Sequence, residues 1–208
     1  MDLFDLQRLD ISAAQDTDHV LVLGKRATGK TSLARHIVET ACAGIPVGMV
    51  ATNSPEPYAS LKPPPEVLDH YEAIDVGLFI EAQKHPQKAD PRAYIVFDSC
   101  FYDPGWSDLW YMKHLLGNNK TLHSKTVITL QYPQKYAHMD TLDYVFMFGE
   151  TNPSYMRNLY DLYGQKAFPD YDTFEAMLDK YTSDPYNSLV VRRPFCDDAS
   201  VFCYSFEL

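Results

Sequence analysis

The chain has no run of about 18 apolar residues that could span a bilayer, and its first ten residues, MDLFDLQRLD, carry acids where a secretory leader carries positive charge. These absences lead to the expectation of a soluble, intracellular protein. Four cysteines, Cys42, Cys100, Cys196 and Cys203, stand without CxxC spacing, so neither a zinc site nor a disulfide framework is indicated. The seven histidines show no metal-ligand spacing, and no Ser-His-Asp or Cys-His set can be singled out. Positive charge is also scarce. With 18 Lys and Arg against 28 Asp and Glu, the formal net charge is -10, which argues against a broad basic face that coats nucleic acid. Any DNA contact is expected to be local. No repeat or low-complexity tract interrupts the chain.

What is present fits a single α/β domain. In 208 residues, 46% hydrophobic, there is enough apolar side chain for a substantial core. We read residues 1–17 as a lead-in, 18–192 as the core and 193–208 as a C-terminal strand. His19 to Leu23 is an apolar run of the kind that forms a buried parallel strand. After it, Leu33, Ala34, Ile37, Val38 and Ala41 recur at helical spacing and stop before Gly44. Further strands are expected at 46–51, 93–97, 126–130 and 144–148. Helices are expected within 66–85, 106–116, 153–163 and 172–181, with a strand pair at 188–192 and 201–206. Strands alternating with helices imply a mostly parallel central sheet flanked by helices, whose ligands bind outside the carboxyl ends of the strands. Gly24, Asp98 and Gln131 fall at those ends.

Gly24-Lys25-Arg26-Ala27-Thr28-Gly29-Lys30-Thr31 matches G-x-x-x-x-G-K-[ST], with the strand before it and the helix after it that a phosphate-binding P-loop requires. Glycines let backbone N–H groups close around phosphate oxygens, and the helix N-terminus adds donors and a favourable dipole. In this reading the loop and Ser32 hold ATP, Lys30 reaches the β- and γ-phosphates, and the Thr31 hydroxyl ligates Mg²⁺. Asp98, ending the strand Tyr94-Ile95-Val96-Phe97, has the place of the acid that holds Mg²⁺ through water, and Gln131 that of a residue orienting the attacking water. A GTPase would carry N-K-x-D, but the chain has Asn119-Lys120-Thr121-Leu122; a nucleotide kinase would carry an arginine-bearing lid, and no arginine-rich segment follows the P-loop helix. Lys113, His114, Lys120, His123 and Lys125, beside Trp106, Trp110 and Tyr111, admit two readings: a DNA-facing patch, or a solvated helix end with core aromatics.

The P-loop segment Val22 to Thr31, then Pro46-Val47-Gly48, Asp90-Pro91-Arg92-Ala93, Phe97-Asp98-Ser99-Cys100-Phe101-Tyr102-Asp103 and Gln131-Tyr132-Pro133, resembles the poxvirus-type genome-packaging ATPases of nucleocytoplasmic large DNA viruses. These belong to the FtsK/HerA branch of P-loop NTPases. The resemblance runs from about residue 17 to about residue 190. It implies an ATPase that assembles as a homo-oligomeric ring and translocates double-stranded DNA into a preformed capsid, with capsid or portal-vertex proteins as partners. It also implies a place in a host-cell virus factory or the virion. By motif, it makes Lys30 and Thr31 the phosphate and magnesium residues, Asp98 the Walker B acid and Gln131 the sensor.

The chain departs from that pattern at two points. The family carries a second acid directly after the Walker B Asp, where this chain has Ser99, leaving Glu56 or Asp103 as substitutes for the missing carboxylate base. The family also carries arginines near the positions of Asn118, Met139 and Gly149, which leaves Arg157, Arg92 and Arg26 as arginine-finger candidates. These departures open a second reading, of a divergent relative that binds ATP in a structural or regulatory role with little or no hydrolysis.

Overall fold

The computed structural model describes residues 5–68, 72–84, 89–101 and 104–206. Its strands are β1 (His19–Leu23), β2 (Val47–Thr52), β3 (Glu66–Leu68), β4 (Ala93–Asp98), β5 (Ser124–Leu130), β6 (Tyr144–Met147), β7 (Asn187–Arg192) and β8 (Ser200–Ser205). Its α-helices are α1 (Lys30–Ala41), α2 (Ala73–Lys84), α3 (Trp110–Gly117), α4 (Pro153–Leu159) and α5 (Tyr171–Tyr181), with α4 prolonged by a π-helical turn over Tyr160–Gly164. The eight strands form one sheet in the order β3-β2-β4-β5-β1-β6-β7-β8. Strands β1 to β6 pair in parallel, and β7 and β8 add antiparallel at one edge.

Period-two alternation divides the apolar residues between the two faces of the sheet. Leu21 and Leu23 of β1 join a core with Val76, Phe79, Met112, Leu115, Met156 and Phe174 of α2 to α5. Val20 and Val22 join Leu33, Ile37 and Val38 of α1 on the opposite face. Because both faces are covered, β1, β4 and β5 are buried along their whole lengths, which is why they read as continuous apolar runs.

Two segments differ from the sequence expectation. Residues 66–85 do not form one helix: Glu66–Leu68 pairs with β2 as an edge strand, and the helix begins at Ala73. This three-residue stretch finds its partner in β2, a pairing that periodicity alone does not register. The lead-in also packs onto the fold. Arg8 bridges Cys203 of β8 in parallel, and Leu9, Ile11 and Ala14 are buried against the α1 face. Helix starts follow local chemistry: Asn152 caps α4 by accepting from the Ser154 and Tyr155 amides ahead of Pro153, and Asp170 caps α5 by accepting from the Thr173 amide at 2.7 Å.

Gly48 in β2 lies under the ring of Tyr94 in β4, where a Cβ would stand 2.1 Å from Cζ. Tyr94 is buried to 2% exposure and cannot swing clear. Gly48→Ala is therefore expected to cost about 1–3 kcal/mol by overpacking, seen as a lower urea midpoint with an unchanged slope.

Candidate functional site

The site lies at the carboxyl end of β1, where the strand order makes a switch point: the chain leaves β1 for β2 on one side, while β6 and β7 return on the other. Gly24 opens the loop that follows. A Cβ here would meet Thr28 Oγ1 at 2.6 Å and Phe148 Cβ at 2.9 Å, so the tight turn requires glycine. The loop curls around the Lys25 carbonyl, which accepts from the Thr28 hydroxyl at 2.9 Å and from Lys30 Nζ at 2.7 Å. Ala27 has φ of 65° and Gly29 of 100°. As N-cap of α1, Gly29 offers no side-chain oxygen, so the first amides of the helix carry no side-chain cap and keep their donors for an anion.

Lys25 is held away from this curl. Its ammonium donates to Thr151 Oγ1 at 2.6 Å and pairs with Glu150 Oε1 at 2.7 Å. Glu150, beyond β6, is itself buried and accepts from the Thr151 and Asn152 amides, both at 2.7 Å. Lys30 is only 8% exposed. Burial pushes its pKa down, and the charge of Asp98 opposes that shift, which places the two side chains in electrostatic reach.

Asp98 closes β4 at 1% exposure. Ladder pairing sets Thr52, Asp98 and Thr129 side by side at the ends of β2, β4 and β5. Thr129 Oγ1 donates to Asp98 Oδ1 at 2.7 Å, and the Tyr58 hydroxyl donates to Oδ2 at 3.1 Å. Burial, reinforced by the Asp98 charge, pushes the Tyr58 phenol well above its usual pKa, so it stays protonated and serves as donor. Ser99 follows with φ of 57°, its amide donating to Thr129 Oγ1 at 2.8 Å.

A cleft of about 920 Å³ joins these parts. Arg26, Ala27, Gly29, Lys30, Thr31 and Ser32 line it from the loop and α1, Ser99, Thr129, Gln131 and Tyr132 from the ends of β4 and β5, and Tyr186 from just before β7. Gln131 is exposed and donates from Nε2 to the Tyr132 hydroxyl at 3.0 Å. Thr31 and Asp98 supply hard oxygens, the donor type Mg²⁺ prefers; Asp98 Oδ1 also accepts from the Ser99 hydroxyl at 3.4 Å, while Oδ2 keeps lone-pair capacity beyond the Tyr58 hydrogen bond. The residues present thus fit Mg²⁺ shared with phosphate oxygens. Among the described residues, no cluster of three His, Cys, Asp or Glu forms an all-protein metal cage.

Other residues named from the sequence sit elsewhere. Glu56 is exposed at the start of a 3-10 turn and does not line the cleft. Asp103 lies outside the described residues. Arg157, exposed on α4, pairs with Asp161 at 3.3 Å and lies over the Tyr160 and Tyr171 rings. Arg92 pairs with Asp90 at 2.7 Å and with Asp16 at 3.2 Å, so of the three arginine candidates only Arg26 lines the cleft. The basic stretch around residue 120 is not one surface. Lys125 is wholly buried within β5, Lys113 pairs with Asp108 at 2.9 Å, and Trp106 and Tyr111 belong to the core while Trp110 is exposed. The contributions of Tyr58, Thr129, Glu150 and Tyr186 carry no sequence motif.

No family model matches the chain. Over 180 residues it is 28% identical to uncharacterized protein 075L of Invertebrate iridescent virus 6, covering 83% of this chain and 69% of that protein. Among solved structures it superposes on the genome packaging NTPase B204 from Sulfolobus turreted icosahedral virus 2, bound to AMPPCP, with a TM-score of 0.65 and 14% identity over 90% of this chain and 98% of that one. The pCW3 conjugation coupling protein TcpA, in a monomer form with ATPγS, matches at a TM-score of 0.61 and 12% identity over 96% of this chain and 62% of that one. The chain thus shares the fold of the genome packaging NTPase B204, a mostly parallel sheet flanked by helices with the P-loop after β1.

Proposed function

We propose that the chain is a motor subunit that hydrolyses ATP to move double-stranded DNA into a viral capsid. The observation that carries this reading is the P-loop at the sheet's switch point, with Lys30 lining the cleft and the buried Asp98 at the end of β4 between cleft-lining Ser99 and Thr129. A likeness in fold to a viral genome packaging NTPase supports it further.

In this mechanism the curled loop and the first turn of α1, from Gly24 to Ser32, bind the phosphates of ATP through backbone amides and the helix dipole. Lys30 leaves the Lys25 carbonyl for the β- and γ-phosphates, a stronger charge-assisted partner. Thr31 and Asp98 would hold Mg²⁺, which would supply charge neutralisation to the phosphates. Thr129 and Tyr58 keep the Asp98 carboxylate in one orientation, so no reorganisation is needed during turnover. Gln131 at the cleft wall orients the attacking water. Neither Glu56 nor Arg157 lines its own cleft, so an arginine-finger role for Arg157 requires a neighbouring copy in a ring. Ring assembly, capsid or portal-vertex partners and a place in the virus factory or virion are parts of the same proposal, as is the treatment of 1–208 as one ATPase domain.

One observation favours the second reading, a divergent ATP-binding relative with little or no hydrolysis: Ser99, not an acid, occupies the place after Asp98, lining the cleft. Purified protein assayed with Mg²⁺ and ATP, with and without double-stranded DNA, separates the two. DNA-stimulated phosphate release is expected for the motor. ATP binding without turnover, with or without DNA, would transfer support to the structural reading.

A further inference from the structure

The cleft has two ends, and the strand order tells them apart. On the reading of the cleft as an ATP site, Asp98 at the end of β4 and Gln131 just after β5 lie on one side of β1, so the γ-phosphate end of a nucleoside triphosphate on the loop points that way. Strand β7 lies on the other side of β1, two places away, and Tyr186 immediately precedes it. The opposite, β7 side of the loop is left for the base end of the same ligand, and there Tyr186 lines the cleft.

Tyr186 is built into that end. It is half-buried with φ of 64°, and its ring stands so close over the loop that a Cβ on Gly29 would meet Cδ1 at 2.8 Å. The ring packs edge-on against Phe206, centroids 5.6 Å apart, and Phe206 is 6% exposed and stacks on His36 of α1. Tyr186 is therefore backed by the core while still lining the cleft. A rigid aromatic side chain with few rotatable bonds is the side-chain type that stacks a base at low entropic cost.

We propose that Tyr186 is the platform on which the base of the bound nucleotide stacks, an inference that rests on the reading of the cleft as an ATP site. Stacking recognises a flat ring and not a hydrogen-bonding edge, so ATP and GTP are held alike and pyrimidine triphosphates, with less ring area, more weakly.

The test compares affinities for ATP and for inorganic tripolyphosphate, both with Mg²⁺, in the wild-type chain, Tyr186→Phe and Tyr186→Leu. Leucine keeps apolar bulk against Gly29 and Phe206, so the fold is retained, but it has no π-face. Tyr186→Leu is expected to weaken ATP roughly tenfold, the size of one base–aromatic stack, with tripolyphosphate unchanged and Tyr186→Phe close to wild type. Unchanged ATP affinity in Tyr186→Leu would overturn the platform. So would an equal loss for ATP and tripolyphosphate, because Tyr186 would then act only by propping the loop. If the wild-type chain binds neither ligand, the ATP site itself fails and the platform with it, an outcome distinct from both. Photolabelling of the unmodified chain with 8-azido-ATP gives an independent readout. Label on the peptide holding Tyr186 is expected, and label confined to the Tyr132 and Gln134 side of the cleft would refute the placement.

Discussion

Lys30→Ala is expected to lower the proposed Mg²⁺-dependent ATP turnover by about 10²-fold or more, the scale of losing one preorganised charge-stabilising donor in a site sheltered from water. Lys30 is 8% exposed and its ammonium already donates to the Lys25 carbonyl, so little side-chain freedom remains to be lost when phosphate takes that carbonyl's place. Stability hardly changes. Alanine is well accommodated in the first turn of α1, and the Lys25 carbonyl keeps the Thr28 hydroxyl as donor, so the loss is about 1 kcal/mol, that of one hydrogen bond. Steady-state kinetics beside a urea melt separates the effects. Wild-type kcat/KM in a folded Lys30→Ala chain would remove the loop from the mechanism.

That prediction stands on the part of the molecule most legible in the sequence. The run His19 to Leu23, the glycines at 24 and 29 and the helical spacing after Lys30 are local signals, and β1, the loop and α1 lie where those signals put them. Legibility falls where long-range pairing decides. Lys125 reads as one of several surface cations, yet β5 is a central strand between β4 and β1 and carries it inside, near Asp18. There burial and the neighbouring Asp143 push the Asp18 pKa up to about 6, while Lys125 works against the rise. Nor does any spacing rule link Tyr58 to Asp98, forty positions away, or Glu150 to Lys25; those contacts exist only because β2, β4 and β6 bring their carboxyl ends to one edge. Sequence therefore discloses the loop that meets phosphate more readily than the partners that hold its acid and its lysine in place.

Asp98→Asn tests those partners together with the acid. Asparagine has the same shape, and its carbonyl oxygen still accepts the Thr129 hydroxyl, but the amide nitrogen cannot accept from Tyr58, whose hydroxyl must turn and become the acceptor. The fold is accordingly expected to survive with a loss of about 1–2 kcal/mol. Turnover is not: without the carboxylate charge only Thr31 remains of the two residues proposed to hold magnesium, and kcat is expected to fall on the order of 10²-fold or more. The two substitutions then differ in how they fail. Lys30→Ala removes a phosphate contact and weakens ATP with or without Mg²⁺. Asp98→Asn leaves metal-free ATP affinity near wild type and abolishes the gain that Mg²⁺ adds. Titrating ATP into each variant in EDTA and in Mg²⁺ reads this contrast directly. If Asp98→Asn kept both its Mg²⁺-linked affinity and its kcat, Asp98 would be a buried structural acid serving Tyr58 and Thr129, and the metal would have to be held from elsewhere in the cleft.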